Sequence, residues 1–146
     1  MRAYLDTSAL LKLFVEEEGS VALARQIVAA THLATTCRIT YAEASAALAR
    51  RERESPQLRV QWAEARRLLD ADWSAMGIVE VDEQLVQRAG DLADAFALRA
   101  YDAVQLAACD AVRTALSGNV VFYSFDLRLN RAARLLGLHM PPDALS

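Results

Sequence analysis

A chain of 146 residues is the length of one domain, and with 54% hydrophobic residues, only 5 Gly and only 3 Pro it can bury a core and shows no sign of disorder or low complexity. A net charge of −3 argues against a broadly basic nucleic-acid binder, and Lys12, Arg25, Asp102 and Asp110 interrupt every apolar run before it reaches the roughly 18 residues a membrane span needs. Asp6 falls where the uncharged core of a signal peptide would lie, and Cys37 and Cys109 are far apart with no histidine beside them, so a cytoplasmic chain with two small buried thiols is expected.

The first predicted element is a short buried strand, Ala3 to Leu5, that runs almost without a loop into a helix from Ser8 to Val15. Between them stand Asp6, Thr7 and Ser8, all good helix caps. Glu16-Glu17-Glu18-Gly19-Ser20 breaks the chain, and Ser20 caps a helix to about Ala30 with Val21, Ala24, Ile27 and Val28 as its apolar stripe. A second strand follows at His32 to Thr36. The alanine-rich stretch Ile39 to Arg53 reads as a helix carrying Glu43, and Ser55-Pro56 starts another that runs to about Ala75. That helix sets Leu58, Trp62, Ala65, Leu69, Trp73 and Met76 on one face, a pattern that serves a core or a groove for a partner helix. Gly77 stops it.

Ile78 to Val81 is a third strand, Asp82 caps a helix to about Ala97, and a nearly all-apolar helix covers Ala100 to Leu116. Asn119 to Phe125 is the next strand, Asp126 ends it, and a last helix spans Leu127 to Leu136 up to Gly137. Leu138 to Met140 forms a short edge strand before Pro141-Pro142. Strands separated by helices imply parallel crossovers, hence an α/β domain over residues 1–146 with a mostly parallel sheet between helices. No internal repeat or linker divides it.

Two of these strands end in an acid, Asp6 and Asp126, and ligands in open α/β sheets bind at the strands' carboxyl ends. Should the two strands be parallel neighbours, the carboxylates meet at one sheet edge, with Ser8 and Ser124 beside them. Glu43 has Ala46 and Ala47 as its i+3 and i+4 neighbours, which leaves space in front of it but equally suits a solvated side chain. Asp102 sits in the first turn of its helix, where the dipole favours it whatever its role. Asp91, Asp94 and Asp110 read as a solvated face.

Four gathered carboxylates repel one another unless a cation joins them. Oxygen ligands without His or Cys select Mg²⁺ or Mn²⁺, ions suited to phosphodiester cleavage. Fifteen of the 16 basic residues are Arg, clustered at Arg50, Arg51 and Arg53, at Arg59, Arg66 and Arg67, and at Arg128, Arg131 and Arg134, available for phosphate contacts or as solvated faces.

At Leu5-Asp6-Thr7-Ser8-Ala9-Leu10, Thr40 to Glu43, Asp102-Ala103-Val104-Gln105-Leu106-Ala107, and Ser124-Phe125-Asp126 with Leu129-Asn130, the sequence resembles PIN-domain ribonucleases, particularly VapC-type toxins of toxin-antitoxin pairs. The motifs run through the whole chain in order. The resemblance implies a four- or five-stranded parallel sheet, Mg²⁺- or Mn²⁺-dependent endonuclease activity on RNA, a homodimer, and a small antitoxin partner. It makes Asp6, Glu43, Asp102 and Asp126 an acidic quartet of metal ligands, with Ser8 and Ser124 as supporting hydroxyls. Arg128, Leu129 and Asn130 stand where some members carry a further acid, so a second metal would be held weakly or only with substrate. Two other readings stay open: a non-catalytic module binding RNA or protein, and an aspartyl-nucleophile phosphotransferase, for which position 8 lacks the second acid and Lys12 is the only lysine.

Overall fold

The computed structural model describes residues 1–29 and 33–142. Its sheet has four strands, β1 (Arg2–Leu5), β2 (Leu33–Cys37), β3 (Gly77–Val79) and β4 (Val120–Tyr123), all parallel in the order β3-β2-β1-β4. Seven α-helices connect or follow them among the described residues: α1 (Thr7–Phe14), α2 (Ser20–Ala29), α3 (Thr40–Glu54), α4 (Arg59–Trp73), α5 (Glu83–Phe96), α6 (Ala100–Ala115) and α7 (Leu127–Leu136). None is long and apolar enough to cross a membrane.

Strand periodicity sorts the core into two layers. Ala3, Leu5, Val121 and Tyr123 face one way, onto residues of α1 to α4 such as Leu10, Leu23, Leu48 and Leu69. Tyr4, Cys37 and Phe122 face the other, onto α5, α6 and α7 through Leu92, Leu106 and Leu129, and the Tyr4 and Phe122 rings stack at 6.0 Å. The path from β1 through β2 to β3 moves steadily across the sheet, whereas the step to β4 returns past it to the far side of β1. With right-handed crossovers, that reversal moves the connecting helices to the opposite face. The strand order therefore switches between β1 and β4, and a crevice opens there at their carboxyl ends.

Several expected boundaries shift for local reasons. The expected end of the second helix at Ala30 and the start of the second strand at His32 fall outside the described residues. Ser20 is the first residue of α2 instead of its cap; its hydroxyl donates to the Val15 carbonyl at 2.9 Å and accepts from the Glu17 N–H at 3.0 Å. The stripe expected from Val21, Ala24, Ile27 and Val28 is not the buried one: Ser20 and Leu23 face the core, while Val21 is 58% and Val28 76% exposed. Since α2 packs mainly on α1 at the periphery, only a narrow line of it is covered. The helix predicted from Pro56 begins as a single 3-10 turn, Pro56–Leu58, before α4. Trp62, Ala65 and Leu69 are buried there and Leu58 is exposed, so the aromatic face is core at its centre only.

Gly77 starts β3 where the sequence reading had it end a helix. A Cβ on it would stand 2.9 Å from Thr35 Oγ1, so glycine lets β3 approach β2. Strand β3 ends at Val79, two residues earlier than expected. Strand β4 stops at Tyr123 because the next N–H groups turn to hydroxyls, Phe125 N–H to Ser8 Oγ at 2.9 Å and Asp126 N–H to Ser124 Oγ at 3.0 Å. The expected last strand is reduced to one parallel bridge between His139 and Val121.

Candidate active site at the carboxyl edge of the sheet

Register fixes the first two acids. Leu5 pairs with Tyr123 across β1 and β4, so Asp6, one residue past β1, and Ser124, one residue past β4, leave the sheet side by side. Asp6 both caps α1 and belongs to the crevice, so the capping role and the site role coexist. Its Oδ1 accepts from the Ala9 N–H at 2.9 Å and from Ser8 Oγ at 2.7 Å, and its Oδ2 accepts from Ser124 Oγ at 2.6 Å. Ser124 in turn accepts from the Asp126 N–H, and Asn130 Nδ2 donates to the Ser124 carbonyl at 2.9 Å. Asp126 caps α7 through the Leu129 N–H at 3.0 Å. Both seryl hydroxyls therefore link the end of β1 to the end of β4.

Glu43 arrives from α3, half-buried, and is held from the opposite side. Thr7 Oγ1 and Gln105 Nε2 each donate to its Oε1 at 2.8 Å. Gln105 lies inside the apolar run of α6, 2% exposed; its Oε1 accepts from the Tyr4 hydroxyl at 2.6 Å, and its Nε2 also reaches Thr40 Oγ1 at 2.9 Å. Thr36 hydrogen-bonds both Thr40 and the Leu5 carbonyl, tying β1, β2 and the start of α3 together. A buried glutamine thus aims Glu43 with neutral dipoles only.

The four acids and Gln105 line one cleft of about 420 Å³, shared with Thr7, Ser8, Leu11, Lys12, Glu17 and Arg51. Burial pushes the Asp6 carboxyl up to about 6, offset in part by the hydrogen bonds from Ser124, Ala9 and Ser8 and reinforced by the Asp126 charge. Asp102 is raised for the same first reason, with Asp126 and Glu43 adding to it and Arg99 and Arg128 opposing. Like charges are therefore felt across the cleft, and among the described residues no basic side chain forms an ion pair with any of the four carboxylates. Among the described residues no three acidic, imidazole or thiol side chains converge as a ready-made metal site. The donor set is nevertheless all oxygen, which fits a hard divalent ion.

Thr36, Thr40, Tyr4 and Gln105 were not assigned roles from sequence, and Thr7 was read only as a helix cap. Gln105 carries a usable signal, a lone amide in the middle of Ala103 to Ala108, since a buried polar side chain needs partners. The threonines carry none, because their value depends on which strand ends meet. Asp91 and Asp94 are exposed as expected, but Asp110 is not part of a solvated face: it is 9% exposed and paired with Arg88 and Arg113.

The PIN domain family model matches residues 3–135. Two relatives, Ribonuclease VapC45 and Ribonuclease VapC49 from two strains of Mycobacterium tuberculosis, are each 36% identical over 142 residues, covering 97% of this chain and 96% of theirs. Among solved structures, PAE2754 from Pyrobaculum aerophilum matches with a TM-score of 0.63 at 22% identity, over 96% of this chain and 83% of that one. VapBC2 from Rickettsia felis, bound to a DNA fragment from their promoter, matches with a TM-score of 0.61 at 14% identity, over 97% and 98%. These last two share the fold; the family model and the two mycobacterial relatives establish that the chain belongs to the PIN-domain family.

Proposed function

We propose that this chain is a divalent-cation-dependent endoribonuclease and the toxin of a toxin-antitoxin pair, working as a single domain in a homodimer and restrained by a small antitoxin. The observation that carries the reading is the cleft lined by Asp6, Glu43, Asp102 and Asp126, in which the donors that hold Asp6 and Glu43 among the described residues are all neutral. The mycobacterial ribonucleases, similar along almost their full length, support the choice of RNA as substrate and of the toxin role.

Asp6, Glu43, Asp102 and Asp126 are the residues that would hold Mg²⁺ or Mn²⁺. Magnesium usually takes one or two carboxylates and keeps several waters, so four acids spread around a cleft suit it better than a tight protein cage. When bound, the ion supplies an acidified water and charge neutralisation at the phosphate. The chain does the rest. Ser8 and Ser124 fix both oxygens of Asp6, so the carboxylate keeps one orientation. Gln105 and Thr7 fix Glu43 across the cleft from it. Such preorganisation supplies the geometric part of catalysis.

The test is cleavage of total cellular RNA by the purified protein with Mg²⁺, with Mn²⁺ and with chelator, beside Asp6→Asn. The expected result is cutting with either ion, none with chelator and none by the variant. An Asp6→Asn protein that cuts at the native rate removes this site from the reaction.

A further inference from the structure

The acidic cleft has a second, basic end. Of the residues lining it only Lys12 and Arg51 are basic, and both are ion-paired with one acid, Glu17. Arg51 Nη1 lies 2.8 Å from Glu17 Oε1, and Lys12 Nζ 3.1 Å from Oε2. Each cation is also held independently of Glu17. Lys12 Nζ donates to the Glu18 carbonyl at 2.7 Å and sits 5.0 Å from the centre of the Phe125 ring, one residue before Asp126. The Arg51 guanidinium lies 5.7 Å from the Trp62 ring. The turn that carries Glu17 packs on the same Phe125, since a Cβ on Gly19 would stand 2.8 Å from that ring.

We propose that Lys12 and Arg51 form a phosphate subsite for the RNA backbone beside the acidic cluster, and that Glu17 occupies it until RNA displaces the carboxylate. This rests on the nuclease reading and adds how a polyanion enters a cleft that would otherwise repel it. A carboxylate that gives one oxygen to each cation has the form of a phosphodiester presenting its two non-bridging oxygens. Arginine's fork and lysine's point charge are the usual pair for that group. The cations stay in place when Glu17 swings out, because Phe125, the Glu18 carbonyl and Trp62 still hold them. Glu17 thereby sets a threshold: a single phosphate competes poorly with a tethered carboxylate, whereas a strand engaging several subsites at once prevails.

The experiment measures binding of a labelled 12-nucleotide single-stranded RNA by anisotropy in chelator, where cleavage does not run, across a salt series. Glu17→Gln is expected to tighten binding about fivefold by removing one like charge from the phosphate's place. Lys12→Gln and Arg51→Gln are each expected to weaken binding and to lower the slope of log affinity against log salt by about 0.7, one phosphate contact on a single strand. Arg51→Lys should restore the slope while lowering the affinity. A gain on removing Glu17 cannot come from misfolding, which guards the test against damaged variants. Unchanged affinity and salt slope in Glu17→Gln and Lys12→Gln, in a preparation whose wild type still cuts RNA, overturn the subsite and leave the nuclease reading standing. A wild type that neither binds nor cuts RNA overturns both.

Discussion

Helix α6 carries two aspartates about two turns apart whose surroundings differ completely. Asp110 is buried against α5, where Arg88 Nε approaches its Oδ2 at 3.1 Å and Arg113 takes its Oδ1. The protein neutralises that charge itself. Asp102, at the other end of the same helix, faces the cleft half-buried, and its carboxyl is pushed above the ordinary range by burial and by Asp126 and Glu43. Arg99 and Arg128 oppose the shift from a distance, but among the described residues no side chain hydrogen-bonds or ion-pairs with it. Burial alone therefore does not distinguish a structural acid from a functional one; the distinguishing feature is whether the fold pairs it directly with a countercharge.

That contrast is broken most directly by exchanging charge for amide at both ends. Asp102→Asn should lower RNA cleavage by on the order of 10³-fold, the scale on which preorganised electrostatic groups act, with little change in melting temperature. Asp110→Asn should cut at close to the native rate. Equal activity of the two proteins would erase the difference drawn between the two ends of α6.

Stability sharpens the comparison next. Saturating Mg²⁺ or Mn²⁺, about a hundredfold above its dissociation constant, should stabilise the wild type and Asp110→Asn by ~2.7 kcal/mol and Asp102→Asn by much less. Thermal melts with and without the ion read this directly. Asp110→Asn should itself lose ~2 kcal/mol in urea unfolding, because it leaves two arginines without their shared partner. The loss stays below that of a fully buried pair since the Arg88 side chain is 44% exposed.

The same contrast explains what the sequence disclosed. Asp6 and Asp126 were legible because each ends an apolar strand, and the sheet order then had only to make those strands neighbours. Ser8 and Ser124 followed from their places beside the acids. Asp110 was misread because helical spacing marks a residue's direction but not what packs there; α5 supplies both the cover and Arg88 from 22 residues away. The exposed line on α2 was misread for a related reason, since Val21 and Val28 have the right period but lie mostly uncovered. Gln105 stands out as a lone amide in an apolar run, but its partners and those of the threonines lie on β1, α1, β2 and α3, and contacts of that range leave no local pattern.

The smallest expected effect isolates Asp6. Its folded value of about 6 lies above the ordinary value of 3.8, a gap equivalent to ~3 kcal/mol if nothing relaxes. A raised carboxyl binds its proton more tightly folded than unfolded. Its contribution to stability is therefore fully present below pH 3.8 and is lost as pH rises through about 6. In metal-free buffer the wild type should lose ~1–2 kcal/mol between pH 4 and pH 7 relative to Asp6→Asn, less than the ceiling because water entering the cleft solvates the ion. Asp102 is raised too and pulls both proteins the same way, so the difference between them, not either curve alone, reports Asp6. Adding Mg²⁺ should reverse the sign of that difference near pH 7, since the ion binds the deprotonated carboxylate that burial disfavours. Urea unfolding of both proteins at four pH values, with and without the ion, measures it, and parallel curves throughout would mean that Asp6 lies in a wetter place than its 4% exposure indicates.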